Sequence, residues 1–228
     1  MAQQQPLALV PPAGTADWSE QALINARTVT TIEGVNEEFL ALLVQLAGDR
    51  PGQPVLGVPP AALRAIATVG AHRCLEATGL PYALFDLRFL DERYWATQAA
   101  GTAAVHDAEA AGQVRHEVVT FVQTAVTAAW HLAQVSEGGA RLALGMAAGT
   151  HGVLATLPMS ALAWLPRRLA PVLAARFCSR GTFWPLLADC AARPTDGRAA
   201  ALRRLGLQLT GMEGARAQSL HRRARRNP

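Results

Sequence analysis

One arrangement of residues occurs twice along this chain, at a constant offset of 88 positions. Three dipeptides return without a gap: Leu56-Gly57, Ala67-Thr68 and Arg88-Phe89 reappear as Leu144-Gly145, Ala155-Thr156 and Arg176-Phe177. An aromatic couple follows each copy, one residue out of step: Tyr94-Trp95 and Phe183-Trp184. A repeat of this kind marks a recurring structural unit, so it limits the fold more than composition does. The sequence therefore predicts two copies of one small unit, and a function built on a dimer would be contained in one polypeptide.

The chain has 228 residues and is 50% hydrophobic, which is enough to bury a core in one or two domains. The repeat favours two. We expect a disordered lead-in over 1–16, a first unit over 17–112, a second unit over 113–210 and an Arg-rich tail over 211–228. The lead-in lacks the basic and apolar segments of a secretory signal, and the three cysteines have no close spacing, so we predict a cytoplasmic protein with free thiols.

Both copies are predicted to be mostly helical. In the first copy, helices are expected from about 17, then at 35–46, where apolar residues recur at helical spacing, and at 59–67, 71–77 and 91–98. In the second copy, helices are expected at about 118–135, after 145 up to 155, and at 159–164, 180–191 and 196–209, with a polar turn at 136–139. The apolar segments 80–89 and 172–177 are too short for helices and are predicted to be strands.

One strand in each copy cannot satisfy its own backbone hydrogen bonds when it is buried, so it needs a partner. The equivalent strand of the other copy is the obvious partner. We therefore predict a mostly α fold, in which tandem duplicated helical units, each with one short β-strand, form an intramolecular pseudo-dimer. The residues predicted at the pseudo-dimer interface are Leu84, Phe85, Leu87, Val172 and Leu173.

The packing and turn residues of both copies follow a known pattern. In the second copy they run without a gap: Leu144-Gly145, Leu154-Ala155, Leu157, Leu165, Val172, Arg176-Phe177, Ser179, Thr182, Leu186 and Asp189. In the first copy they are Asn36, Phe39-Leu40, Leu42, Leu46, Leu56-Gly57, Ala67, Arg88-Phe89 and Asp91. With these residues each unit resembles the FlhD family, the D subunit of the flagellar master activator of transcription.

This resemblance implies a mostly helical subunit that dimerises, with strands and helices exchanged across the dimer. It also implies a zinc-containing FlhC-like partner subunit, with which the family binds promoter DNA and recruits RNA polymerase. The chain departs from the family in holding two units. The cysteine with which the family can bridge its dimer falls here on Phe85 and Leu173. A fused pair does not need such a bridge, because its linker already gives the two units a high effective concentration.

Basic charge is concentrated at the end of the chain, where eight arginines and one acid, Glu213, follow position 197. Arginines there would add salt-sensitive affinity for phosphates, and Arg180 and Thr182 are expected on the same outer side. The predicted DNA-binding residues are Arg180, Thr182, Arg203, Arg204, Arg216, Arg222, Arg223, Arg225 and Arg226. A solubilising terminus is the alternative interpretation. Because no aromatic residue lies among these arginines, stacking on single-stranded bases is disfavoured.

The sequence offers no catalytic chemistry. Gly145, Gly149 and Gly152 lack the Lys-Ser/Thr pair of a phosphate-binding loop, and the six histidines show no metal-ligand spacing. We therefore predict no enzyme activity, no metal site and no cofactor.

Two other functions stay open at this point. The fold could serve as a protein-interaction module or anti-activator that has lost DNA binding, and further association of such chains is compatible with either function. The uncharged run 142–166 is also long enough to cross a membrane. Its glycines and prolines divide it, however, and the equivalent segment of the first copy carries Arg64, Arg73, Glu76 and Asp86. We therefore predict no membrane contact.

Overall fold

The computed structural model describes residues 26–101 and 114–226, and within them the protein is mostly helical with one two-stranded sheet. This confirms the predicted fold class at the level of secondary structure. The predicted lead-in over 1–16, the helix expected from 17 and the unit boundary at 112 lie outside the described residues. The side chains of 217–226 lie outside them as well.

The first half contains four helices and a strand within its described residues: α1 (Ala26–Asp49), α2 (Pro60–Val69), α3 (Ala71–Thr78), β1 (Phe85–Asp86) and α4 (Glu92–Ala99). The last three helices agree with prediction to within two residues. Helix α1 is longer than the predicted run 35–46, because its buried face continues back through Ile32 and Thr28.

The second half contains six helices and a strand within its described residues: α5 (His116–Val135), α6 (Glu137–Leu144), α7 (Ala148–Thr156), α8 (Leu165–Leu169), β2 (Ala174–Ala175), α9 (Phe183–Ala192) and α10 (Asp196–Arg226). Short 3-10 turns at Met159–Ala163 and Ala170–Val172 flank α8. Helix α10 is much longer than predicted, so the tail expected over 211–228 is helical as far as Arg226.

The polar turn predicted at 136–139 is wrong beyond its first residue. Ser136 is extended and ends α5, as expected. Its hydroxyl then accepts a hydrogen bond from the Gly139 N–H at 3.1 Å, and this N-cap starts helix α6. A left-handed Gly145 at φ 65° ends that helix.

The predicted strands 80–89 and 172–177 are also too long. The antiparallel ladder pairs only Phe85 with Ala175 and Asp86 with Ala174. On one side of β1 the Leu84 N–H donates to the side chain of Asn36 at 2.8 Å instead of continuing the ladder. On the other side Arg88 has φ 57°, which turns the chain out of the extended conformation.

The two halves share one hydrophobic core. Helix α1 packs along α5, while α4 of the first half packs against α7 and α8 of the second. In the opposite direction, α9 of the second half packs against α2 and α3 of the first. In each half, therefore, the helix that follows the strand packs on helices that precede the strand of the other half.

Two aromatic clusters cross between the halves in the same way. The Phe85 ring centroid lies 5.9 Å from that of Phe39 and 5.3 Å from that of Phe121 on α5. In the second cluster the Tyr82 ring lies 5.6 Å from Phe177, edge to face, and Phe177 lies 4.6 Å from Phe183. Each cluster therefore takes rings from both halves.

Among the described helices, α5 is the one whose length and apolar composition would suffice to cross a membrane. It buries nine residues in the core, including Phe121 and Leu132, and a core helix passes the same test. The uncharged run 142–166 does not form one long helix, because Gly145 and Pro158 divide it into short ones.

Candidate nucleic-acid interface

The basic residues predicted to bind DNA lie mainly on α10, whose first half is anchored on the body. Its side chains Ala199, Leu202 and Leu209 are buried, and the helix packs on α9 and α3. The hydroxyl of Tyr82 donates to the Leu202 carbonyl at 3.0 Å. Tyr82 is fully buried, and burial raises the pKa of its hydroxyl, so that the group acts as a neutral donor.

Gly206 lets α10 approach the Tyr82 ring. A Cβ at this position would collide with the end of that ring, which is held between Phe177 and Phe183. Gly211, one turn further on, has nothing within 4 Å of the equivalent point. Within α10, a side chain at Gly206 would therefore collide with Tyr82, whereas a side chain at Gly211 would meet open space.

We expect Gly206→Ala to lower the free energy of unfolding by about 1–3 kcal/mol, because the extra methyl displaces a packed ring or the helix itself. The matched variant Gly211→Ala adds a methyl in open space and is expected to raise it by about 0.5–1 kcal/mol through helix propensity. Denaturant titrations of both variants measure the difference. Equal stabilisation by both would contradict the Tyr82 contact.

Arg176 is buried and joins the body to the middle of α10. Its guanidinium donates to the Ala83 carbonyl at 3.2 Å, the Thr210 hydroxyl at 3.0 Å and the Glu213 carboxylate at 2.8 Å. Gly145 lies so close to the guanidinium that a side chain there would collide with it. Arg176 therefore joins the first half, the second half and α10 at one point.

The structure places the predicted DNA-binding residues in three groups. Arg180, Thr182, Arg204 and Arg216 are exposed. Arg203 is half-buried and donates to the Thr78 carbonyl at the end of α3 at 2.9 Å, so part of its hydrogen-bonding capacity is used within the fold. The remaining four belong to the last turns of α10, and their side chains lie outside the described residues: Arg222, Arg223, Arg225 and Arg226.

Beyond its anchored half, α10 carries almost only positive charge. Glu213 is the only acid of the sequence after Asp196, and its carboxylate pairs with buried Arg176. The five arginines that follow it share their helix with no further acid. This segment therefore suits a polyanionic ligand, whose phosphates supply the missing negative charge.

The residues predicted at the junction of the two copies are nearly all buried. Leu84, Phe85 and Leu87 are fully buried and Leu173 is buried to 6% exposure, whereas Val172 is half-buried. Only Phe85 belongs to the two-residue ladder. The described residues contain no cluster of histidine, cysteine, aspartate or glutamate that could hold a metal ion.

No family model, curated protein or solved structure matches this chain.

Sequence reasoning missed two groups that define the interface. In the sequence, Arg176 stands out only through the repeat and the family pattern, and nothing in its neighbours indicates burial. Tyr82 stands out only as part of a predicted strand. Glu213, the one acid among eight arginines, was the available signal, since an isolated acid in a basic helix often has a specific partner.

The three cysteines are free, and burial raises the pKa of Cys74 and Cys178 to about 11 from 9.0. We expect iodoacetamide to modify the folded protein slowly near pH 8, because the thiolate fraction is lowered about a hundredfold. Mass spectrometry with an unfolded control measures the rate. The folded state favours the protonated thiol, so the free energy of unfolding should fall as the pH rises from about 9 to about 11. Rapid labelling of folded Cys74 would contradict this burial.

Proposed function

We propose that this protein is a transcriptional regulator in which two FlhD-like units form a dimer within one chain. The observation that carries the proposal is the reciprocal packing of α4 on α7 and α8, and of α9 on α2 and α3. An exchange of helices between units is what the family resemblance implies for a dimer. Helices α4 and α9 occupy equivalent places in the two halves, and each packs on the other half. This reciprocity is expected of two related units and not of two unrelated ones.

Local geometry around the ladder supports the same proposal. The ladder pairs Asp86 with Ala174, which are 88 positions apart and so occupy equivalent places in the repeat. Trp95 and Trp184 each donate an indole N–H to a carbonyl eight residues earlier, at 3.1 and 2.8 Å. Arg88 and Phe177, 89 positions apart, both have left-handed φ, at 57° and 62°. The offset therefore changes from 88 at Asp86 and Ala174 to 89 at the next positions, which matches the one-residue shift of the aromatic couple.

The proposed regulator contacts double-stranded DNA through the basic half of α10, together with Arg180, Thr182 and Arg204, and acts in the cytoplasm with a zinc-containing FlhC-like subunit. Flagellum biogenesis is the process that the resemblance suggests. Exposure of Arg180, Arg204 and Arg216 supports the proposal, as does the absence of acids after Glu213. Phosphate contacts of this kind give affinity before they give sequence selectivity.

The experiment is a binding titration of the full chain, alone and with a co-expressed FlhC-like subunit, against labelled duplex at several salt concentrations. We expect the logarithm of affinity to fall linearly with the logarithm of salt, with a slope set by the number of phosphates contacted. Replacing Arg222, Arg223, Arg225 and Arg226 with glutamine should reduce that slope by about 3–4. Absence of salt-dependent binding in every condition would rule out the DNA role.

A second candidate is a protein-interaction module with the same fold. Met159 and Trp164 favour it, because they are 70% and 37% exposed on the same turn and Arg168 lies 5.1 Å over the Trp164 ring. Exposed large apolar side chains are typical of partner contacts. Two results together would favour this function. The FlhC-like subunit would bind the wild type but not Trp164→Ala, and neither protein would retain DNA.

A further inference from the structure

One buried side chain holds α10 at the end of its anchored half. Beyond Leu209, the guanidinium of Arg176 donates to the Thr210 hydroxyl at 3.0 Å and to the Glu213 carboxylate at 2.8 Å. The same guanidinium also donates to the Ala83 carbonyl, and it lies 4.6 Å from the Phe177 ring centroid. Five of the arginines proposed to contact DNA follow this contact along the helix: Arg216, Arg222, Arg223, Arg225 and Arg226.

We propose that Arg176 is a positioning residue for nucleic-acid binding: it fixes the direction of the basic half of α10 relative to the junction of the two halves. This role rests on the DNA contact proposed above and deepens it. The backbone of Arg176 is itself part of the junction, since its N–H donates to the Leu84 carbonyl at 2.8 Å. Arginine suits the position because its planar guanidinium presents five donors in a fixed geometry, whereas lysine offers three donors at the end of a flexible stem.

The proposal makes Glu213 an acid that favours binding to a polyanion. By charge alone, removing an acid beside a basic helix strengthens attraction to phosphates. If Glu213 instead serves to hold the helix on Arg176, removing its charge loosens the last anchored turn and weakens binding. The two explanations predict changes of opposite sign, so one substitution separates them.

Glu213→Gln is the test, and Glu76→Gln is its matched control. Glu76 is exposed on α3, which packs against α10, and its substitution changes the net charge equally. With a mixed-sequence duplex of about 30 base pairs, we expect Glu213→Gln to bind on the order of tenfold more weakly than wild type. Glu76→Gln should bind equally or more tightly. Arg176→Lys keeps the net charge and should weaken binding as Glu213→Gln does.

Amide hydrogen exchange supplies a readout that does not require DNA. We expect the amides of 207–216 to exchange faster in Glu213→Gln and in Arg176→Lys, while those of α5 keep their wild-type protection. Tighter binding by Glu213→Gln, matching Glu76→Gln, would overturn the positioning role, as would unchanged protection of 207–216. If wild type fails to bind any duplex, the proposed function is lost, but faster exchange in both variants still supports Arg176 as the residue that fixes α10.

Discussion

Replacing Phe85 with alanine is expected to lower the free energy of unfolding by about 3–5 kcal/mol. Phe85 is fully buried at the junction, and its ring contacts Phe39 from its own half and Phe121 from the other. Removing it leaves a cavity beside Phe39 and Phe121, whose rings already contact each other at a centroid distance of 5.2 Å, so closing the cavity would require a shift of α1 or α5. Urea or guanidinium titration of the full chain measures the loss.

Two further variants make this measurement specific to the junction. Leu173 is buried immediately before β2, and Leu173→Ala is expected to lower the free energy of unfolding by about 2–5 kcal/mol. Met159 is 70% exposed, so Met159→Ala should change stability by less than about 0.5 kcal/mol. Wild-type stability of both Phe85→Ala and Leu173→Ala would be incompatible with a shared junction of the two halves.

Asn36→Leu is expected to cost about 2–5 kcal/mol, because it leaves two buried backbone groups without partners. The Asn36 amide donates to the Tyr82 carbonyl at 2.9 Å and accepts from the Leu84 N–H at 2.8 Å. It therefore satisfies one backbone group of Tyr82 and one of Leu84, which precede β1 and lie outside its two-residue ladder. Leucine has a similar volume, so the loss reports the hydrogen bonds more than the packing.

Gln45→Leu is the control for Asn36→Leu, since it makes a similar chemical change on an exposed turn of the same helix. We expect its free energy of unfolding to stay within about 0.5 kcal/mol of wild type. Asn36→Asp keeps an acceptor for Leu84 but has no amide to offer Tyr82. If Asn36→Leu were as stable as Gln45→Leu, the side chain would not carry the backbone of this segment.

Helix positions could be predicted wherever the signal for a helix end is local. Gly79 adopts the left-handed conformation that ends α3, and Ser136 ends α5, as their residue types indicate. Helix α6 was missed because Ser136 also acts as an N-cap, and two glycines follow it that are typical of turns. Local patterns are therefore informative about boundaries but not about what one residue does for two elements.

The candidate site could not be predicted from local patterns, because its contacts join residues far apart in sequence. Tyr82 bonds to a carbonyl 120 positions away, and Arg203 to one 125 positions away. The repeat and the need to pair the two lone strands predicted the burial of Phe85 and Leu173, but the Leu84 N–H beside the ladder bonds to Asn36, which lies in another element. The arginines after Glu213 were visible as charge, while the means of holding their helix was not.

Within the described residues, an Arg-rich helix follows α9 and none follows α4, and for the proposed regulator this asymmetry has a consequence for the DNA target. A regulator made of two identical subunits presents each DNA-contacting helix twice, so its targets are two matched half-sites in opposite orientation. In a single polypeptide that contains both units, one unit can carry a DNA-contacting helix that the other unit lacks. In the proposed regulator, α10 would contact DNA on one side only of the axis that relates the two halves. We therefore expect the target to be a non-palindromic sequence.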